Sequence, residues 1–340
     1  MKIAIIGSAS NQDTFEYNLE EAFIFAGHEC KRFDAFDKKV FKMGIISGVY
    51  RKIDELLRIQ SNSYDKSIFK PIAEKIINYK PDLVIVTYRM VHPECISTIK
   101  KTLKYTPIIH INPDSIQTLG LQQVFASNYD KWFVKDPYMV KFMRDNMHLN
   151  TTLYYEAFNP RIHKRPKGTK KEWEDKINID VTTYGTMYCY RSNMLEIVKN
   201  AGINIKAFGV KPRRFFNPNT KDVFQNKYII GEEKAKILYG SKIVFNQMHY
   251  AEIESVNCRF FEANGCEAFQ LVDYRPILKE LLPVDPELVC FRSIDEGIDK
   301  IKYYLSHPEE RYELADKIYQ YTSEKFSYDH LIDYILKNIS

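Results

Sequence analysis

Short apolar runs that end in glycine or a polar turn alternate with amphipathic stretches along most of this chain, and few folds accommodate that pattern. The first run, Lys2–Ile6, stops at Gly7-Ser8. A helical stretch follows from about Asp13 to Ala26, where Phe15, Leu19, Ala22, Phe23 and Ala26 share one face. Strands are then predicted at Glu29–Phe33, Leu83–Thr87, Ile108–Ile111, Lys131–Val134 and Thr152–Tyr155. Helices are predicted around Val49–Ile59 and Ile68–Asn78, and after Pro93 and Pro137, each proline suiting a first helical position. The pattern restarts with strands at Ile179–Tyr184, Ile203–Phe208, Ile243–Asn246, Ala268–Val272 and Leu288–Phe291. Helices follow at Ser192–Asn200, Ile294–Leu305, Pro308–Ser323 and Tyr328–Asn338. Strands that are apolar on both faces and joined by helices predict parallel sheets covered on both sides. The expected class is therefore α/β, with two Rossmann-like doubly wound domains facing a central cleft.

The expected boundaries are an amino-terminal domain over 1–158, a basic linker over 159–178, a second domain over 179–325 and a closing helix over 326–340 that packs back on the first domain. With 340 residues, 45% hydrophobic, the chain can build two cores of ordinary size. No window approaches the roughly 20 apolar residues of a membrane span, and the first apolar run is too short for a secretory signal. A cytoplasmic protein is expected. The six cysteines lack metal-ligand spacing and read as reduced thiols, so no metal is expected on them. Net charge is +5, concentrated in Arg161–Lys176 and Lys211–Arg214. Such runs are solvated loops or contacts for phosphate or anionic lipid, which leaves peripheral membrane contact open and gives no support to a nucleic-acid partner.

Motifs narrow the chemistry. The turn after Lys2–Ile6 lacks GxGxxG, and no GKS or GKT occurs, so neither a dinucleotide cofactor nor ATP phosphoryl transfer is supported. The segment from Ser241 to Asp273 is more informative: a strand, a polar loop, then Arg259 and Glu262 on one face at the start of a short helix, then another strand. Its core, Asn257-Cys-Arg-Phe-Phe-Glu-Ala-Asn-Gly-Cys-Glu-Ala-Phe-Gln-Leu-Val-Asp273, resembles the NxRxFEAxACGAxLLxD stretch of the CgeB-like glycosyltransferases, a branch of the GT-B group. Tyr184-Gly185-Thr186 with Arg191, the strand at Ser241–Asn246 and His307-Pro308-Glu309-Glu310-Arg311 are similar to other parts of that family, so the resemblance covers about 179–339.

The resemblance implies a hexosyltransferase-type enzyme of polysaccharide biosynthesis, using a nucleotide-diphosphate sugar as co-substrate, with no resident cofactor and no metal. The implied donor-binding residues are Gly185, Arg191, Asn246, Asn257, Arg259, Phe261 and Glu262. A carboxylate such as Glu262 can accept from both hydroxyls of a ribose, and Arg191 and Arg259 can answer a diphosphate. One position departs from the family: Glu267 stands where glycine is usual, so its carboxylate must point away from the donor phosphates, meet a cation or signal altered donor use. The acceptor is a hydroxyl of a glycan, a lipid-linked molecule or a protein. By the same resemblance its activation belongs to the first domain, where His92, His110 and Asp114 lie beyond strand ends as candidate bases, each with a structural role as the competing reading. A nucleotide-sugar epimerase of the same fold and a non-catalytic glycan- or nucleotide-binding protein remain open alternatives. Donor sugar and base, stereochemistry and oligomeric state are not legible.

Overall fold

The structure is a computed structural model that describes residues 1–35, 44–114, 123–212 and 214–339. It divides into two compact units, Met1–Tyr155 with Ile332–Ser340, and Glu156–Leu331.

In unit 1 six strands, β1 (Lys2–Ile6), β2 (Glu29–Phe33), β3 (Leu83–Val86), β4 (Ile108–Asn112), β5 (Lys131–Val134) and β6 (Thr151–Leu153), form one sheet in the order β2-β1-β3-β4-β5-β6. Every pairing is parallel. Ile3 and Ile5 are as completely buried as Ala4, so both faces of β1 are covered, as its uninterrupted apolar run requires. The covering helices are α1 (Phe15–Phe25), α3 (Asn62–Tyr79), α4 (Pro93–Thr102) and α5 (Pro137–Met147), while α2 (Gly44–Gln60) packs on α3. Pro93 and Pro137 do open helices, behind His92 and Asp136 whose side chains accept the second backbone N–H of each.

Unit 2 has five parallel strands, β7 (Ile179–Tyr184), β8 (Ile205–Phe208), β9 (Ser241–Asn246), β10 (Gln270–Asp273) and β11 (Cys290–Phe291), in the order β11-β10-β9-β7-β8. Its helices are α6 (Lys170–Ile177), α7 (Cys189–Asn200), α8 (Gly231–Gly240), α9 (Cys258–Gly265), α10 (Leu278–Leu281), α11 (Pro286–Val289), α12 (Ile294–Ser306) and α13 (Pro308–Lys325), followed by α14 (Tyr328–Lys337). From Ile332 onward the chain groups with unit 1, where the Tyr334 hydroxyl donates to the Leu153 carbonyl at 2.8 Å.

Three differences from the sequence reading have physical causes. The strand expected over Leu288–Phe291 shrinks to two residues because Asp285 caps a helical turn opened by Pro286. Helix α8 was not anticipated; no side chain caps its start. The basic segment 159–178 is not a free linker. It carries α6, closed by a capping box between Thr169 and Glu172, and the Glu174 carboxylate accepts from the Arg311 guanidinium at 2.7 Å and the Tyr312 hydroxyl at 2.9 Å on α13. Arg161 pairs with Asp329 and Arg165 with Glu267, so cations that sequence offered to phosphate or lipid are engaged inside the unit.

Candidate functional site

In open parallel sheets ligands bind beyond the carboxyl ends of strands where the strand order reverses. In unit 2 that point lies between β7 and β9, since β8 flanks β7 on the far side. The backbone there is closely stacked. Gly209 has φ 142°, and a Cβ on it would stand 1.8 Å from the Gly185 carbonyl oxygen, so no side chain is tolerated. Gly185 itself has φ 110° and turns the chain out of β7 over the Arg259 side chain.

Two arginines converge at this reversal. The Arg259 guanidinium donates to the Tyr184 carbonyl and to the Gln247 carbonyl, both at 2.6 Å, joining the ends of β7 and β9. Arg191, from the first turn of α7, donates to the Thr186 carbonyl at 2.9 Å and to the same Gln247 carbonyl at 3.0 Å. Both side chains are buried, and the Arg191 Nε has no hydrogen-bond partner. Burial, and then the neighbouring Arg259 charge, pull the Arg191 guanidinium down to about 10. Backbone carbonyls accept from the terminal nitrogens of both guanidiniums but carry no countercharge, and the nearby charge of opposite sign acting on both is the Asp273 carboxylate. The Asp273 carboxylate accepts from the Met248 N–H at 2.6 Å, and burial raises its pKa.

Glu262 lies behind the arginines, one turn further along α9. Its carboxylate is 3.1 Å from Lys234 Nζ on α8, 3.3 Å from the Tyr184 hydroxyl and 3.7 Å from His163 Nε2. Lys234 is 2% exposed and Glu262 6%, a buried ion pair tolerable only with such partners. Burial, then the Glu262 charge, push the Tyr184 phenol well above its ordinary value. Asn257 caps α9 by accepting the Phe260 N–H at 3.2 Å and exchanges amide contacts with Asn246, which also donates to Gln270. Phe261 points into the core against Phe260 and Phe326; it supports α9 and does not line a binding surface.

Glu267 stands past the other end of α9, away from the arginine pair. Its φ is 57°, the left-handed conformation that glycine adopts without cost, and its carboxylate meets Arg165 Nη1 at 2.6 Å. The residue thus terminates α9 in a conformation that favours glycine. Of the three outcomes open to Glu267, the structure realises the one in which it meets a cation.

Unit 1 treats its candidates differently. His110 is completely buried on β4 beside Trp132 and Tyr129, at ring centroid distances of 4.9 and 5.1 Å, with neither ring nitrogen hydrogen-bonded. Burial, and then Arg89, lower it to about 3. It cannot take a proton from a substrate it cannot touch, which corrects the expectation. His92 is also committed: Nδ1 accepts the Glu94 N–H at 3.2 Å as the cap of α4, and Nε2 lies 2.9 Å from the Asn62 side-chain oxygen. Asp114 is half-exposed and paired with Arg89. Sequence reading missed Glu16, near the start of α1 at the β1/β3 reversal. Its carboxylate accepts from the Thr87 hydroxyl at 2.8 Å, and burial raises its pKa. A Cβ on Gly7 would fall 2.3 Å from Thr87 Oγ1 and 2.7 Å from Glu16 Cγ, so the weak glycine after β1 admits this pair.

Lys234, Gln247, Tyr184 and His163 were missed as well. So was an aromatic group beside the arginines: Tyr188 and Tyr190, stacked at 6.0 Å, with His249 and the exposed Tyr250. The pairs Tyr188/Tyr190 and His249/Tyr250, placed just after β7 and β9, were the available signal.

Two parallel doubly wound sheets, each with a strand reversal, are the architecture of the GT-B fold. Solved structures agree. Sucrose-phosphate synthase from Thermosynechococcus elongatus matches with a TM-score of 0.71 at 14% identity, over 99% of this chain and 98% of that one. The lipopolysaccharide outer core galactosyltransferase WaaB matches at 0.59 with 12% identity, over 99% of both chains. The T4 phage BGT in complex with UDP and Mn2+ matches at 0.55 with 14% identity, over 100% of both. A glycosyl transferase-like family model matches residues 191–337. Spore protein CgeB of Bacillus subtilis (strain 168) is 22% identical over 232 residues, 59% of this chain and 71% of that protein. The chain resembles the CgeB-like glycosyltransferases in sequence and shares the GT-B fold of these solved structures.

Proposed function

We propose that this enzyme moves a sugar from a nucleotide-diphosphate donor, held by unit 2, to a hydroxyl of a glycan, lipid-linked or protein acceptor, without a resident metal. The observation that carries this reading is the convergence of Arg191 and Arg259 on the Gln247 carbonyl at the β7/β9 reversal, with the Lys234–Glu262 pair behind it. The Glu262 carboxylate is suited to a ribose diol. Gly185, Asn246 and Asn257 keep the backbone around it fixed, and Tyr188 and Tyr190 offer ring faces to a base. When the sugar leaves, negative charge grows on the diphosphate. A field already set by the two guanidiniums stabilises that charge without reorganising, which is the service a metal would otherwise supply. In unit 1, Glu16 at the β1/β3 reversal is better suited to hold the acceptor proton than the helix-capping His92, the sealed His110 or the ion-paired Asp114, because burial raises its pKa and its partner is a neutral hydroxyl.

A cytoplasmic place in polysaccharide assembly is consistent with this donor chemistry. No helix among the described residues is long and apolar enough to cross a membrane. The test is a thermal-shift screen of UDP, GDP, ADP, CMP and dTDP sugars, followed by product analysis with and without acceptor and with chelator. One nucleotide class should raise the melting temperature, and turnover should need acceptor but survive chelation. Sugar conversion without acceptor would assign an epimerase, and loss on chelation would overturn metal independence.

A further inference from the structure

The turn from Asn159 to His163 is closed by its own backbone and ring. The His163 N–H donates to the Asn159 carbonyl at 2.7 Å, and the Asn159 N–H donates back to His163 Nδ1 at 3.1 Å. A backbone N–H can only donate, so Nδ1 is the accepting ring nitrogen and Nε2 carries the proton, a tautomer assigned from the hydrogen-bond pattern. The turn is pinned from outside as well. Arg161 donates to Asp329 at 2.9 Å, and the preceding Phe158 lies so close to α9 that a Cβ on Gly265 would stand 2.2 Å from its ring. His163 is 1% exposed, with Nε2 directed at α9, 3.7 Å from Glu262 Oε1.

The two oxygens of Glu262 have different surroundings. Oε2 lies 3.1 Å from the Lys234 ammonium and 3.3 Å from the Tyr184 hydroxyl oxygen. Oε1 faces His163 Nε2 at a separation beyond hydrogen-bond range. A carboxylate anchored through one oxygen still swings about its last torsion, which is broad in glutamate. The Nε2–H lies where it draws Oε1 toward one orientation, yet too far away to occupy the lone pairs that a ligand hydroxyl would use.

We propose that His163 is a positioning residue for donor binding, aiming Glu262 Oε1 at a hydroxyl of the donor's ribose. The inference rests on the ribose reading of Glu262 and makes the segment 159–178, expected as a linker, a contributor to the donor site. The test is calorimetry with UDP, GDP, ADP, CMP and dTDP, each beside its 2′,3′-dideoxy counterpart. The wild type should prefer the hydroxylated form of its nucleotide by about tenfold or more, the size of a hydrogen bond to a charged group. His163→Asn keeps an acceptor for the Asn159 N–H but removes the group facing Oε1. It should shrink that preference to within about threefold, with dideoxy binding unchanged. His163→Gln returns an N–H to the place of Nε2 and should restore the preference. Equal loss of both nucleotide forms alongside a lower melting temperature would make His163 a folding residue and overturn the proposal. So would a His163→Asn variant that keeps the wild-type preference, although the ribose reading of Glu262 would then survive. A wild type indifferent to the ribose hydroxyls, or with no affinity for any of these nucleotides, would overturn that reading and this inference with it. If His163→Asn does not fold, His163→Gln decides alone: a preference kept supports the assignment, and one lost at the wild-type melting temperature overturns it.

Discussion

In unit 1 the polar residues on β4 and beyond β3 and β4 are absorbed by their own scaffold: His92 caps a helix, His110 is walled in by aromatic rings and Asp114 answers Arg89. In unit 2 the same kind of sheet gathers Arg191, Arg259, Lys234 and Glu262 at its strand reversal, where burial makes each charge costly. Buried charge is retained against that cost where it serves binding or where its geometry is fully satisfied, and unit 2 contains both kinds. The Glu174–Arg311 pair, away from the reversal, is structural. The Glu262 group stands behind the β7/β9 strand reversal, the place proposed above for the donor.

The largest effect expected is at the structural pair. Arg311→Met should cost about 3–5 kcal/mol in a urea titration, because it strands Glu174 without its cation, yet leave nucleotide affinity nearly intact. Loss of affinity equal to the loss of stability would erase the distinction between the two kinds of charge. Next, Glu262→Ala should weaken donor nucleotide binding about 100-fold, near 2.7 kcal/mol by calorimetry. Unchanged affinity would make the unit 2 cluster as structural as its unit 1 counterpart.

His110→Phe should stabilise the chain by about 1–2 kcal/mol while leaving turnover unaltered, since it removes two unpaired ring nitrogens. It should also flatten the acid limb of the stability curve. The buried ring stays neutral to about 3, whereas the unfolded chain takes up the proton near 6.5. Stability is therefore lost as pH falls from 6.5 toward 3, by up to about 1.4 kcal/mol per pH unit from this group. A variant that lost activity at unchanged stability would restore His110 as a base. The smallest effect belongs to Glu267→Gly, where relief of the left-handed backbone offsets loss of the half-exposed Arg165 pair. A melting-temperature change within about 1 kcal/mol equivalent is expected.

The parallel sheets were legible because strands buried on both faces cannot hide their apolar runs, and the helix starts at Pro93 and Pro137 because proline restricts its own backbone. Glu262, Arg259 and Arg191 were legible through a motif. Lys234 was not, since a lysine on an unanticipated helix carries no local sign that a carboxylate from α9 will meet it. Glu16 was passed over for a similar reason: its neighbour Thr87 follows β3, far along the chain from α1. The basic segment 159–178 misled because a run of cations reads as solvated until its partners, Asp329, Glu267 and the α6–α13 packing, arrive from far along the chain.

By itself the sequence determined the class of fold and most of the order of its elements, which rest on local periodicity and short-range spacing. Only the tertiary structure decided which charges are paired and which histidines are sealed. Those outcomes depend on burial and on partners that meet only when distant segments pack together.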